Sequence, residues 1–178
     1  LLGIGPAALD SAEWIARGAL FEPTWQEWVF GTRHFGVGYR PVTALSFTIN
    51  QAVGGFEPAA FRSVDIALHL LGGILAYHLY CALAYRNERR RVGGLIAAAL
   101  FLLHPAAQDV LPILARRSYL LASVFSLAGL SVLARSVRAG SSAALRVMGG
   151  AGSGILLAAA LFSNESSAMS IVVVPAVA

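Results

Sequence analysis

The run His104-Pro105-Ala106-Ala107-Gln108-Asp109-Val110, followed by Arg116-Arg117 and Tyr119-Leu120-Leu121, is a short polar connection between two long apolar stretches. Imidazole, carboxylate and guanidinium groups are the side chains of proton transfer and anion binding. At or just inside a bilayer boundary such groups are expensive, so their presence marks a functional site. The alternative is a solvated loop with interfacial arginines. The positions of the other polar residues decide against it.

Composition sets the surroundings. The 178 residues are 57% hydrophobic with a mean hydropathy of +0.70, above the roughly 45–50% apolar share of soluble domains. An integral membrane protein is expected, and the apolar run from Ser166 to Ala178 reads as part of a longer polytopic chain. All 13 basic residues are Arg. In a soluble protein that excess would suggest nucleic acid; here the arginines separate apolar segments, so they report topology and no nucleic-acid partner is expected. The single cysteine, Cys81, excludes an internal disulfide and a cysteine-based metal site.

The predicted fold class is all-α, a polytopic transmembrane helix bundle. Spans are expected at about 64–84, 92–106, 119–134 and 145–162, with a further one starting at 166–178. Gly72-Gly73, Gly93-Gly94 and Gly149-Gly150 suit close helix packing. Residues 1–63 carry four prolines and three tryptophans, and predict a large non-cytoplasmic loop with interfacial amphipathic helices at 10–20 and 24–30. The connections 85–91 and 135–146 hold seven arginines between them, which places both in the cytoplasm. Eight of the nine carboxylates, together with His34, His69 and His104, then fall on or near the opposite face. The polar chemistry is one-sided.

The ordered series Tyr39-Arg40-Pro41, Asp65…His69, His104-Pro105…Asp109…Arg117…Leu120-Leu121 and Ser163-Asn164-Glu165 with Pro175 resembles the membrane part of the transmembrane and tetratricopeptide-repeat O-mannosyltransferases and their bacterial relatives. Those are GT-C class polytopic glycosyltransferases that take a sugar from a polyprenyl-phosphate carrier. The resemblance runs from about Asp10 to the end of the chain. Three positions depart from the family pattern. Asp65 stands where Asn is usual, Asp109 where Glu is usual, and Asn164 where Lys is usual.

The resemblance implies a base for the acceptor hydroxyl, stabilisation of the departing phosphate and a groove for the lipid. Asp10, with Glu13 beside it, is the candidate base, since partial desolvation raises a carboxylate's pKa and improves it as a proton acceptor. Asp10 could equally cap a helix, with Glu13 completing a capping box. Arg40 and Arg117 are candidates for the phosphate, while Arg116 suits snorkelling to headgroups. His104 could bond phosphate or sugar, or cap the carbonyls of its helix. Asp65 and His69, at i and i+4, could orient substrate or satisfy one another. Asp109 or Glu165 could pair with Arg117 and offset its burial.

Asp10, Glu13, His104 and Asp109 include metal-ligand types, but no ligand spacing supports a divalent metal, and no cofactor is expected. The absence of a Gly-rich nucleotide loop suits a lipid-linked donor. The expectation is a bacterial inner-membrane enzyme with its site facing the periplasm, moving a sugar, mannose by the family's example, from a polyprenyl phosphate to a protein or glycan acceptor amid membrane lipid. The alternative is a non-catalytic scaffold or degenerate homologue in a larger complex. A transporter fits less well, because the polar residues gather at one face rather than at the midplane.

Overall fold

The computed structural model describes residues 40–55, 57–106, 116–138 and 141–177. The expected base Asp10, its neighbour Glu13, the connection residue Asp109 and the two expected interfacial helices lie outside the described residues. Within them the chain is all-α and contains no strand. The helices are α1 (Pro41–Gly54), α2 (Pro58–Leu83), α3 (Arg90–Leu103), α4 (Arg117–Ser136), α5 (Ala143–Ser163) and α6 (Ala168–Val177), with a 3-10 turn at Glu165–Ser167.

Local chemistry accounts for the ends. Pro41 and Pro58 open α1 and α2, where the missing N–H costs nothing and the fixed φ suits a helix. Ser142 caps α5, its Oγ accepting the Leu145 N–H at 3.2 Å. Pro105 ends α3 by holding His104 extended, at φ −61° and ψ 132°. α2 therefore starts at Pro58, ahead of the hydropathy boundary at Val64, and carries Arg62 in its first turns.

Helices α2, α4 and α5 are long and apolar enough to cross a bilayer. α3 has 14 residues and rises about 21 Å, less than the roughly 30 Å hydrocarbon core. α4 is central: 13 of its 20 residues are buried, and it packs against both α2 and α5. The outer faces of the other helices remain apolar and exposed, with Leu100 at 68% and Ile155 at 71%, as surfaces that meet lipid should be.

Small residues set how closely the helices approach. A Cβ on Gly73 would come within 2.7 Å of Leu102, and one on Gly72 within 2.7 Å of Phe101, so α3 lies directly on the α2 backbone. His69 completes that contact. Its ring stacks on Phe101 at 5.4 Å, and its Nε2 donates to the Leu102 carbonyl at 3.2 Å. That carbonyl lies in the last turn of α3, where no intrahelical N–H is available to it.

Candidate functional site: a polar layer at one end of the bundle

Because the helices alternate in direction, the start of α2, the end of α3, the start of α4 and the end of α5 share one end. There the polar side chains meet. Arg117, the first residue of α4, is fully buried. Its Nε donates to Asp65 Oδ1 at 2.5 Å and its Nη2 to the Phe61 carbonyl at 2.8 Å. The guanidinium carbon lies 4.5 Å from the Phe47 ring centre and 5.5 Å from that of Phe61. Charge, hydrogen bonds and two aromatic faces together offset the desolvation of both ions. Arg117 Nη1 is buried and has no hydrogen-bond partner among the described residues.

Two expected pairings are corrected here. Arg117 takes Asp65 as its carboxylate, not Glu165. Asp65 and His69 share a helix face without pairing, because the full charge of Arg117 reaches across from α4 while His69 turns to Leu102. A buried carboxylate is better satisfied by a charged donor than by an imidazole one turn away.

One residue along, Ser118 joins a second network. Arg40, just ahead of α1, grips Glu165 with both arms of its fork, Nε to Oε2 at 3.1 Å and Nη2 to Oε1 at 2.7 Å. Its Nη1 reaches Ser118 Oγ at 3.4 Å. Ser118 Oγ also accepts from Asn164 Nδ2 at 3.1 Å, and Asn164 is completely buried. The Asn164 Oδ1 caps the 3-10 turn by accepting the Ser166 N–H at 2.9 Å. Thr43 on α1 donates to the Ser163 carbonyl at 3.0 Å, which ties α1 to the end of α5.

The two ion pairs differ in depth. The side chains of Arg117 and Asp65 are 0% and 2% exposed, whereas those of Arg40 and Glu165 are 16% and 66% exposed. The hydrogen bond from Arg40 holds the Glu165 carboxyl below its ordinary value of 4.5. His104 stays apart from both networks. It is exposed, and instead of capping carbonyls its Nδ1 accepts the Ala106 N–H at 3.2 Å.

Sequence reasoning singled out Arg40, Asp65, His69, His104, Arg117 and Glu165, and the structure links Arg40 to Glu165 and Arg117 to Asp65. It missed Ser118, Thr43 and the aromatic faces of Phe47 and Phe61. The one available signal was adjacency: Ser118 follows Arg117, and Phe61 stands one turn before Asp65. Among the described residues no three His, Cys, Asp or Glu side chains gather as metal ligands would.

Comparison with known proteins agrees with the motif resemblance. The chain is similar to Protein O-mannosyl-transferase TMTC4 of Homo sapiens, 35% identical over 99 residues that cover 50% of this chain and 13% of that protein. It is also similar to Protein O-mannosyl-transferase Tmtc1 of Drosophila melanogaster, 33% identical over 86 residues that cover 48% of this chain and 10% of that one. Protein O-mannosyl-transferase TMTC3 of Homo sapiens shares 28% over 98 residues, 55% of this chain and 10% of its own length. The chain thus spans about a tenth of the length of the curated relatives it matches. No protein-family model and no solved structure matches the chain.

Proposed function

We propose that this membrane segment belongs to a glycosyltransferase that moves a sugar, mannose by the name of its relatives, from a polyprenyl-phosphate carrier to a hydroxyl of a protein or glycan. The observation that carries the reading is similarity to proteins named protein O-mannosyl-transferases. The one-ended polar layer supports it. In this reading the face holding that layer is the non-cytoplasmic one, the periplasm in a bacterial inner membrane, and the arginine-rich connections at the other end support a non-cytoplasmic orientation.

In this reading the acceptor oxygen attacks the sugar C1 as the bond from C1 to the phosphate oxygen breaks. The carrier leaves as polyprenyl phosphate with that electron pair, the acceptor proton passes to Asp10, and the anomeric centre inverts. Arg40 is the phosphate ligand of choice. The exposed Glu165 carboxylate occupies its fork as two phosphate oxygens would, and can be displaced into water. Arg117 is committed on Nε and Nη2 and sealed from solvent, so it acts as a positioning residue that fixes the start of α4.

The test is transfer of radiolabelled mannose from polyprenyl-phosphate mannose to acceptor peptides by the reconstituted full-length protein. Asp10→Asn should abolish transfer with membrane insertion intact. Arg40→Gln should raise the donor KM more than it lowers kcat. Undiminished turnover by Asp10→Asn removes that residue from the mechanism. A wild-type protein that transfers no sugar from any polyprenyl-phosphate donor favours a non-catalytic homologue, a reading to which the neutral, buried Asn164 also lends weight.

A further inference from the structure

The end opposite the polar layer carries a second cluster that the transfer reaction leaves unused. The turn between α2 and α3 holds Tyr85, Arg86, Glu88 and, at the start of α3, Arg90. Arg138, just past the end of α4, reaches this turn and donates Nη2 to the Ala82 carbonyl at 3.3 Å. Its guanidinium carbon lies 5.3 Å from the centre of the half-buried Tyr85 ring, and that of Arg86 lies 5.4 Å from the same centre. Arg90 Nη1 donates to the Tyr85 carbonyl at 2.9 Å. The turn itself is ordered by Asn87, whose Oδ1 accepts the Arg89 N–H at 2.8 Å.

Two features set this cluster apart from a merely solvated basic loop. Arg138 Nε is buried and has no hydrogen-bond partner among the described residues, which leaves the charge of its guanidinium incompletely compensated there. Two guanidiniums also share one aromatic ring, which places like charges close together with Glu88 as the only carboxylate in the turn. An anion relieves both conditions.

We propose that Tyr85, Arg86 and Arg138 form a binding site for the phosphodiester of an anionic phospholipid. The Arg138 and Arg86 guanidiniums, both gathered on the Tyr85 ring, share the charge of the phosphate between them, with Arg86 offering its exposed fork to the phosphate oxygens. The source is a lipid headgroup because the site lies where spans end, at the level tyrosine favours in a bilayer. Leu83 and Val92, exposed at 51% and 58%, flank the turn and can run alongside acyl chains.

The test is native mass spectrometry of the full-length protein in detergent, titrated with phosphatidylglycerol or with phosphatidylcholine of the same acyl composition. Wild type should retain phosphatidylglycerol at several-fold lower lipid concentration. Arg86→Gln with Arg138→Gln should erase that preference and leave phosphatidylcholine adducts unchanged. Arg146→Gln, which removes one positive charge from the same end without touching Tyr85, should keep it. Since Arg86 is exposed and its contact is with the Tyr85 ring alone among the described aromatic rings, Arg86→Gln by itself leaves the helix bundle intact, and should weaken the preference in part. Equal loss in Arg146→Gln would reduce the effect to net charge, and an unchanged preference in the double variant would remove the site; either overturns the proposal. Displacement of the lipid by millimolar inorganic phosphate would make the ligand a free anion and overturn the lipid assignment.

Discussion

Removing the Asp65 carboxylate tests whether the buried pair organises the polar layer. In Asp65→Ala the Arg117 guanidinium remains sealed and charged but keeps one hydrogen bond, to the Phe61 carbonyl. Nη1 already lacks a partner among the described residues, so two of its three nitrogens would face no acceptor. Breaking one side of a buried ion pair costs about 3–5 kcal/mol, or roughly two to three and a half decades in the folding equilibrium. The two aromatic faces at 4.5 and 5.5 Å are retained and keep the loss toward the lower end. Replacing both partners, as Asp65→Leu with Arg117→Met, removes the charge along with its partner and should come within about 1 kcal/mol of wild type or exceed it. The assay is denaturant unfolding of the full-length protein in detergent, followed by far-UV circular dichroism and arranged as a double-mutant cycle. If each single variant costs less than about 1 kcal/mol and the two costs add, the pair is not a coupled unit and the reasoning fails.

Further outcomes follow from the same geometry. Asn164→Ala loses the bond to Ser118 and the cap on Ser166, and should cost about 2 kcal/mol in the same unfolding assay. Asn164→Lys should cost more, because a buried ammonium can donate to Ser118 but cannot accept the Ser166 N–H. Gly73→Ala meets Leu102 at 2.7 Å while Gly150→Ala meets nothing within 4 Å. The first should cost about 1–3 kcal/mol and the second should be neutral or mildly stabilising, read as shifts in thermal midpoint. Arg40 depresses the folded-state pKa of Glu165, so that contribution is present above the unfolded value and lost as pH falls through the folded one. Glu165→Gln should flatten the decline of thermal midpoint on acidification below 4.5. Since Glu165 is mostly exposed, about 1 M salt should erase the difference between variant and wild type.

What the residues revealed in advance depended on the range over which each interaction acts. Hydropathy accumulates along a contiguous stretch, so the long spans α2, α4 and α5 stood out from neighbours alone. α1 did not, because Thr43, Ser46, Thr48, Asn50 and Gln51 interrupt its apolar positions. Its burial runs through Thr43 and Asn50 as much as through Ala44 and Phe47, a pattern that makes sense only once α4 and α5 face it. The partner of Arg117 lies 52 residues away and that of Arg40 lies 125 away. Local spacing offered Asp65 the nearby His69 instead, and no periodicity tells a reader which helix will present the stronger donor. Asn164 shows the same limit from the other side. As one position in a motif it reads as a lost cation, yet its amide is the one group there that donates to Ser118 and accepts from Ser166 at once. A lysine at that depth would need its own carboxylate, and the nearest candidate by chain, Glu165, is already held at the surface by Arg40. A cation at position 164 is therefore coupled to the Arg40–Glu165 pair. Asn164→Lys without also freeing Glu165 should leave a buried charge, whereas Asn164→Lys combined with Arg40→Gln gives that carboxylate a new partner and should recover part of the loss.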